Sequence, residues 1–347
     1  MKLVQILLFN AFIFFMSHLQ AQEFNNQKSS TWTVKNFQFH HGQVLPELKL
    51  GYITLGNPSN PAVLVLHGTA GTAKGMLNPS FGGELFGPSQ VLDAIKYFII
   101  LPDAIGTGNS SKPSDGLRAK FPNYNYDDMV QAQYLLVTEG LGIKHLKLVM
   151  GNSMGGMQTW LWGTRYPEMM DLLMPMAASP AAMSGRNWIM RKFIVDSIRL
   201  DPQWLDGNYT VQPFSAKFAT TYFGLATSGG NIGLQRIAPT SAKGNELIAN
   251  RMNAANSQDA NDLLYQWQSS EDFNPEPDLA KIKAKILIVN SADDERNPPE
   301  LGKVESTMTK LKSASYYLIP ASDQTIGHGT TGQAKWWKDQ LLKFISN

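Results

Sequence analysis

"LVMGNSMGG", residues 148–156, runs from apolar residues into a serine set between glycines. Gly151-Asn152-Ser153-Met154-Gly155 fits the pattern G-x-S-x-G. It follows a strand-like run directly and precedes the helix-like "GMQTWLWGTRYPE" of 156–168. At a sharp strand-to-helix turn a serine takes strained backbone angles, and small residues on either side let the neighbouring chains approach closely enough to hold it. The bare five-residue pattern also fits an ordinary glycine-rich turn. The strand–turn–helix context selects Ser153 as a nucleophile, which then requires a general base, an acid to orient that base and a second oxyanion donor.

Working outward, five more short apolar runs have strand length: "AVLVLHG" from 62, "YFIILPD" from 97, "DLLMPMAA" from 171, "KILIVNSA" from 285 and "ASYYLIP" from 314. Gly, Pro, Asn or Asp bound them, as expected of parallel strands buried on both faces. Helix-length segments lie between several of them. One is "YDDMVQAQYLLVTEGLG" from 126, whose Met129, Ala132, Tyr134, Leu135 and Leu136 can cover one face. The alternation predicts an α/β fold with a mostly parallel sheet flanked by helices. The stretch "WTVKNFQFHHGQVLPELKLGYITLG" reads as an antiparallel pair extending one edge. Between 181 and 280 the alternation stops, and "NWIMRKFIVDSIRLDPQWL" and "NELIANRMNAANSQDANDLLYQW" are helical in character. The expected organisation is a core of 22–180 and 281–347 with a helical cap of 181–280 over the carboxyl ends of the strands. Aromatic residues of this cap, Trp188, Trp204, Tyr209, Phe214, Phe218, Tyr222, Phe223, Tyr265 and Trp267, are expected mostly in its own core.

The 347 residues, 43% hydrophobic, suffice for one large core plus an insertion. A formal charge of +2 with no run of Lys or Arg argues against a nucleic-acid partner. Residues 1–21 combine Lys2, an apolar stretch to Met16 and a short polar end at Ala21, the layout of a secretory signal. Gln5 and Asn10 interrupt the stretch, which is shorter than the roughly 20 residues of a membrane span. The expectation is a protein cleaved near Ala21 and located in the periplasm or outside the cell, with no membrane attachment afterwards. The absence of cysteine fits an oxidising compartment and excludes a thiolate metal site.

Six histidines are candidates for the base. His18 lies in the signal, and His40 and His41 lie in the edge region. His145 precedes the strand that ends at Ser153, which puts it roughly 20 Å from the serine at about 3.3 Å per residue. His67 closes the first core strand, where it shapes a loop. His328, in "TIGHGTTG" after the last strand, is the predicted base. The acid should follow a strand and precede the histidine in chain order. "ILIVNSADDERNPPE" offers Asp293 and Asp294; Asp294 is preferred, and a one-residue shift in the strand end would exchange them. No histidine at ligand spacing accompanies the pair, so a metal site is not expected. The predicted oxyanion donors are the N–H of Met154 and that of Thr69 in "HGTAGT", a role in which the Thr69 side chain has no part.

With Ser153, Asp294 and His328 in this order, the chain resembles α/β-hydrolase-fold serine enzymes, and within them the homoserine O-acetyltransferase family. The likeness covers "FPNYNYDDMVQAQYLLVTEGLGI" (121–143), "GNSMGGMQTWLWGTRYPE" (151–168) and "DPQWLDGNY" (201–209). Gly155-Gly156-Met157-Gln158 after the serine is more specific than the pentapeptide. The chain departs from that family in the cap, where "FSAKFATTYFGL" (214–225) stands in place of a Gly-Leu then Ala-Arg pattern. It departs again at Gly329, where the family usually has Asp. Both departures fall where the acyl acceptor is chosen.

The resulting expectation is an exported serine hydrolase that cleaves an ester or related acyl bond of a small molecule through an acyl-enzyme, with no cofactor. Two alternatives stand beside it: O-acyl transfer of the homoserine O-acetyltransferase type, and a non-catalytic ligand-binding protein on the same fold. The sequence does not define the oligomeric state; a homodimer is compatible with it.

Overall fold

The computed structural model describes Phe24 and residues 26–227, 229–254 and 258–346. The segment read as a secretory signal lies outside the described residues. All six apolar runs form strands: β3 (Ala62–Leu66), β4 (Phe98–Pro102), β5 (Leu146–Asn152), β6 (Met170–Met176), β7 (Lys285–Ser291) and β8 (Ala314–Ile319). They are parallel to one another. β1 (Lys28–Gln38) and β2 (Val44–Leu55) form the expected antiparallel pair, and β2 joins β4 antiparallel. The sheet order is β1-β2-β4-β3-β5-β6-β7-β8.

The central strands divide their side chains between two cores, which explains why they read as continuous apolar runs rather than as alternation. Leu64, Leu66, Val149, Leu173, Ile286 and Ile288 face one side, where α2 (Tyr126–Leu135) and α3 (Met154–Arg165) add Met129, Val130, Trp160 and Leu161. Val63, Val65, Leu148, Met150, Leu172, Met174 and Val289 face the other, against Leu85 of α1 (Gly82–Leu85) and Leu341 of α10 (Lys338–Ser346). α2 differs from its predicted face. Tyr134 and Leu135 are only half-buried while Val130 and Gln133 are buried, and the helix ends in a π turn over Leu136–Gly140.

Between β6 and β7 the chain is helical, as predicted: α4 (Gly185–Arg199), α5 (Phe214–Thr227), α6 (Gly230–Ile237), α7 (Ser241–Ala254) and α8 (Ala260–Gln268). α9 (Lys303–Met308) lies beyond β7. Five of the nine singled-out aromatic residues of the insertion pack in or against the core, and three are exposed. Tyr209, Phe223, Tyr265 and Trp267 are buried and Trp188 and Trp204 half-buried, but Phe214, Phe218 and Tyr222 are exposed. Among the described residues no helix is long and apolar enough to cross a membrane.

Candidate active site

Ser153 stands between the last residue of β5 and the first of α3, with φ 57° and ψ −114°. A side chain with a Cβ rarely adopts these angles, and they persist only where surrounding contacts enforce them. Two backbone hydrogen bonds do so: the Ser153 N–H donates to the Met176 carbonyl at 2.9 Å, and the Ser153 carbonyl accepts from the Met157 N–H at 2.9 Å. Glycine at 155 is required by space. A methyl group there would sit 2.6 Å from the Leu66 carbonyl carbon, closer still to its oxygen, and 2.9 Å from the His67 oxygen. At Gly156 it would meet Met176 and the Ala178 methyl, the latter at 2.8 Å. The small residues therefore press the start of α3 against β3 and β6.

The structure brings the three predicted side chains together. His328 Nε2 lies 2.8 Å from Ser153 Oγ, and His328 Nδ1 lies 2.9 and 3.0 Å from the two carboxylate oxygens of Asp294. All three residues are buried. An ionised carboxylate only accepts, so the proton sits on Nδ1 and Nε2 is left to accept from the serine hydroxyl. Asp294 Oδ1 also accepts from the N–H groups of Arg296 and Asn297 at 2.8 and 3.0 Å. Burial pushes this carboxyl up, but the adjacent His328 and these hydrogen bonds outweigh it and hold the group below its ordinary value.

Asp293 occupies a different position from its neighbour. Its carboxylate accepts from Ser291 Oγ at 2.5 Å, Thr325 Oγ1 at 2.7 Å and the Gly327 N–H at 3.1 Å. It thus braces the loop that carries His328, while Asp294 meets the imidazole. The Thr331 hydroxyl donates to Asn152 Oδ1 and ties the far end of that loop to the residue before the nucleophile.

On the oxyanion side, Thr69 follows β3, and the loop it belongs to lies against the elbow: a methyl on Gly68 would rest 3.5 Å from Ser153 Cβ. Among the described residues, no hydrogen-bond acceptor occupies the N–H of Thr69 or of Met154. Met154 is the first residue of α3, where backbone N–H groups have no partner within the helix. Apart from N–H donation, in which it has no part, the Thr69 side chain helps to place the loop. Its hydroxyl accepts from Arg191 Nη2 at 3.1 Å, and the next residue, Ala70, donates its N–H to Gln266 Oε1 at 2.5 Å. Two groups from the helical insertion therefore hold the loop in place.

His18 lies outside the described residues, and the four remaining histidines stand away from the serine. Buried His67 is bonded to the Gly68 carbonyl at 2.8 Å and accepts from the Ala104 N–H at 3.0 Å, joining the loops after β3 and β4. Burial holds its pKa below the ordinary value, as suits a neutral structural imidazole. His145 is exposed and paired with Asp171, at the opposite end of β5 from Ser153. His40 and His41 bond Asp128 and the Asn123 carbonyl.

Sequence reasoning missed two arginines. Arg191 of α4 and Arg296, two residues beyond the acid, are buried to 0% and 4% exposure, with guanidinium carbons 5.9 and 4.1 Å from the centre of the Phe223 ring. Arg296 in "DDERNPP" is the one signal available, and nothing in the pattern reveals that it points inward. Among the described residues no group of His, Asp and Glu is arranged to hold a metal ion.

The chain matches the family described as alpha/beta hydrolase fold over residues 61–322. A protein named "probable acyltransferase" from Methanothermobacter thermautotrophicus is 26% identical over 328 residues, spanning 91% of this chain and 97% of its own. A homoserine O-acetyltransferase from Thermobifida fusca is 34% identical over 189 residues, about half of each chain: 50% of this one and 49% of the relative. Among solved structures, an acetylester hydrolase from Corynebacterium glutamicum superposes with a TM-score of 0.78. It is 21% identical, and the match spans 92% of this chain and 96% of that one. Relatives named for acyl transfer and a structural neighbour named for ester hydrolysis thus share this fold.

Proposed function

The chain belongs to the α/β-hydrolase fold family, and we propose that within it this protein is an exported serine hydrolase that cleaves an ester or related acyl bond through an acyl-enzyme. The observation that carries the reading is the uninterrupted path from Ser153 Oγ through His328 to Asp294, at 2.8 and 2.9 Å. In the first half-reaction Ser153 Oγ bonds to the substrate carbonyl carbon while its proton passes to His328 Nε2. The oxyanion is met by the N–H groups of Met154 and Thr69. As the tetrahedral intermediate collapses, the imidazolium returns that proton to the leaving alcohol. Water then repeats the sequence on the acyl-enzyme and releases the acid. Asp294 keeps the imidazole in the productive tautomer and favours the imidazolium. No step calls for a cofactor.

Acyl transfer to a hydroxyl acceptor shares the first half-reaction, and the names of the two relatives favour it as the second reading. The departures in the cap and at Gly329 support hydrolysis. So does the export we propose for the chain, with cleavage near Ala21, because it would separate the enzyme from cytosolic acyl-CoA. Chromatographic product analysis with a short activated ester, with and without millimolar homoserine, tests the choice. Free acid as the main product in both cases supports hydrolysis. O-acyl-homoserine as the main product, or acetyl-CoA as a far better donor than the ester, would overturn it.

A further inference from the structure

A cleft opens between the chain that follows β6, the N-terminal end of α4 and the loop that follows Asp294. Neither Ser153 nor His328 lines it. Its lining includes the apolar side chains of Met157, Phe273, Ile288, Leu301 and Val304. Its lining also carries polar side chains, of which Arg296 Nη1 and Ser179 Oγ are buried without a hydrogen-bond partner, while Asn290 and Tyr316 bond to each other.

The orphaned guanidinium nitrogen matters most, because a buried charge normally persists only when paired and hydrogen-bonded. The rest of Arg296 is weakly provided for. Its Nε donates to the Ala226 carbonyl at 3.2 Å, its Nη2 meets the Met190 sulfur at 3.6 Å, and its guanidinium carbon lies 4.1 Å from the centre of the Phe223 ring. The nearby carboxylate, Asp294, is already engaged by His328 and two N–H groups. Arg191 adds a second buried guanidinium, 5.9 Å from the centre of the same ring. Burial first, and then repulsion from Arg191, pull the Arg296 pKa down to about 9, with Asp294 opposing. At the cleft itself Arg186 and Lys303 stand against Glu305. The site therefore has an excess of buried positive charge and of unused donors.

We infer that this cleft is a binding site, distinct from the acylation centre, for a small ligand bearing a carboxylate on a short aliphatic chain, with Arg296 meeting the carboxylate. A planar carboxylate matches the guanidinium edge that Nη1 presents, and the Ser179 hydroxyl supplies a further donor. The apolar lining residues account for the hydrocarbon. Arg296 and Asn297 present their side chains to this cleft while their backbone N–H groups hold Asp294, so an occupant touches the loop that orients the base.

Calorimetric titration of the purified full protein with pentanoate, and with pentanamide as its neutral isostere, tests the inference. Pentanoate is expected to bind at least about tenfold more tightly than the amide, the margin of one charge-assisted contact. Arg296→Met is expected to abolish that preference. Ser153→Ala is expected to bind pentanoate like the wild type, which keeps this test independent of the proposed reaction. Should Arg296→Met fail to fold by circular dichroism, Ser179→Ala replaces it. That variant removes a donor with no internal partner and is expected to weaken pentanoate about threefold or more. Equal affinity for acid and amide, unchanged binding in these cleft variants, loss of binding in a folded Ser153→Ala, or tighter binding of inorganic phosphate than of pentanoate would each overturn it.

Discussion

Replacing Gly155 with alanine tests whether close packing of α3 on β3 is what aims the elbow. The added methyl would lie 2.6 Å from the Leu66 carbonyl carbon and 2.9 Å from the His67 oxygen, both backbone atoms at the end of a buried central strand. Restoring an ordinary separation of about 3.5 Å requires α3 to retreat by roughly 1 Å. Overpacking of this kind costs about 1–3 kcal/mol, and contact with backbone rather than a mobile side chain puts Gly155→Ala at the upper end. The helical preference for alanine offsets at most about 1 kcal/mol, leaving a net loss near 2 kcal/mol. The functional loss should be larger. Met154 rides on α3 and Thr69 on the loop after β3, so the same shift separates the two oxyanion donors, and a misplacement of about 1 Å costs on the order of 10²-fold in rate. Urea unfolding and saturating p-nitrophenyl acetate kinetics measure the two effects. Gly244→Ala in α7, where a methyl meets nothing within 4 Å, serves as the control and should retain full rate. The reasoning is refuted if Gly155→Ala keeps a rate within threefold of wild type, or if its rate falls only as far as the small unfolded fraction explains.

Asp294→Asn should lower kcat by about 10⁴-fold, the size seen when another triad enzyme loses the correct histidine tautomer. Asp293→Asn should cost less than about tenfold, because the amide oxygen can still accept from Thr325 or Gly327; reversed effects would exchange the two roles. The Asp262 carboxyl is raised to about 6, chiefly by burial and against the Ser114 hydrogen bonds. The folded state therefore holds a proton that the unfolded chain has released above about pH 4, and the associated stability is lost as pH rises from 4 through 6. Asp262→Asn lacks this loss, so urea unfolding should show its stability relative to wild type growing by about 2 kcal/mol between pH 4 and pH 7. A constant difference would contradict the shift.

The sheet was legible because each parallel strand is buried on both faces and so stands out as a short apolar run, and the helical insertion because such runs stop at Met176 and resume at Lys285. Ser153, Asp294 and His328 were legible because chain order and the strand ends constrain where a nucleophile, an acid and a base can meet. The π turn after α2 was not, since no local residue choice announces the change of period. Nor was the inward course of Arg191 and Arg296. Arginine is ordinarily a surface residue, and only the three-dimensional meeting of α4, α5 and the acid loop around Phe223 makes room for both. The Arg191 contact that holds the Thr69 hydroxyl joins residues 122 positions apart, beyond the reach of any local pattern.

The most direct measurement is covalent labelling of the purified protein with a fluorophosphonate, read by intact mass and peptide mapping. Wild type should take up one phosphonyl group, located on Ser153. Ser153→Ala should take up none while keeping the wild-type circular dichroism spectrum, since alanine adds no bulk to the elbow. Stoichiometric labelling of Ser153→Ala, or an adduct mapped to any other residue of the wild type, would contradict the assignment of Ser153 as the nucleophile.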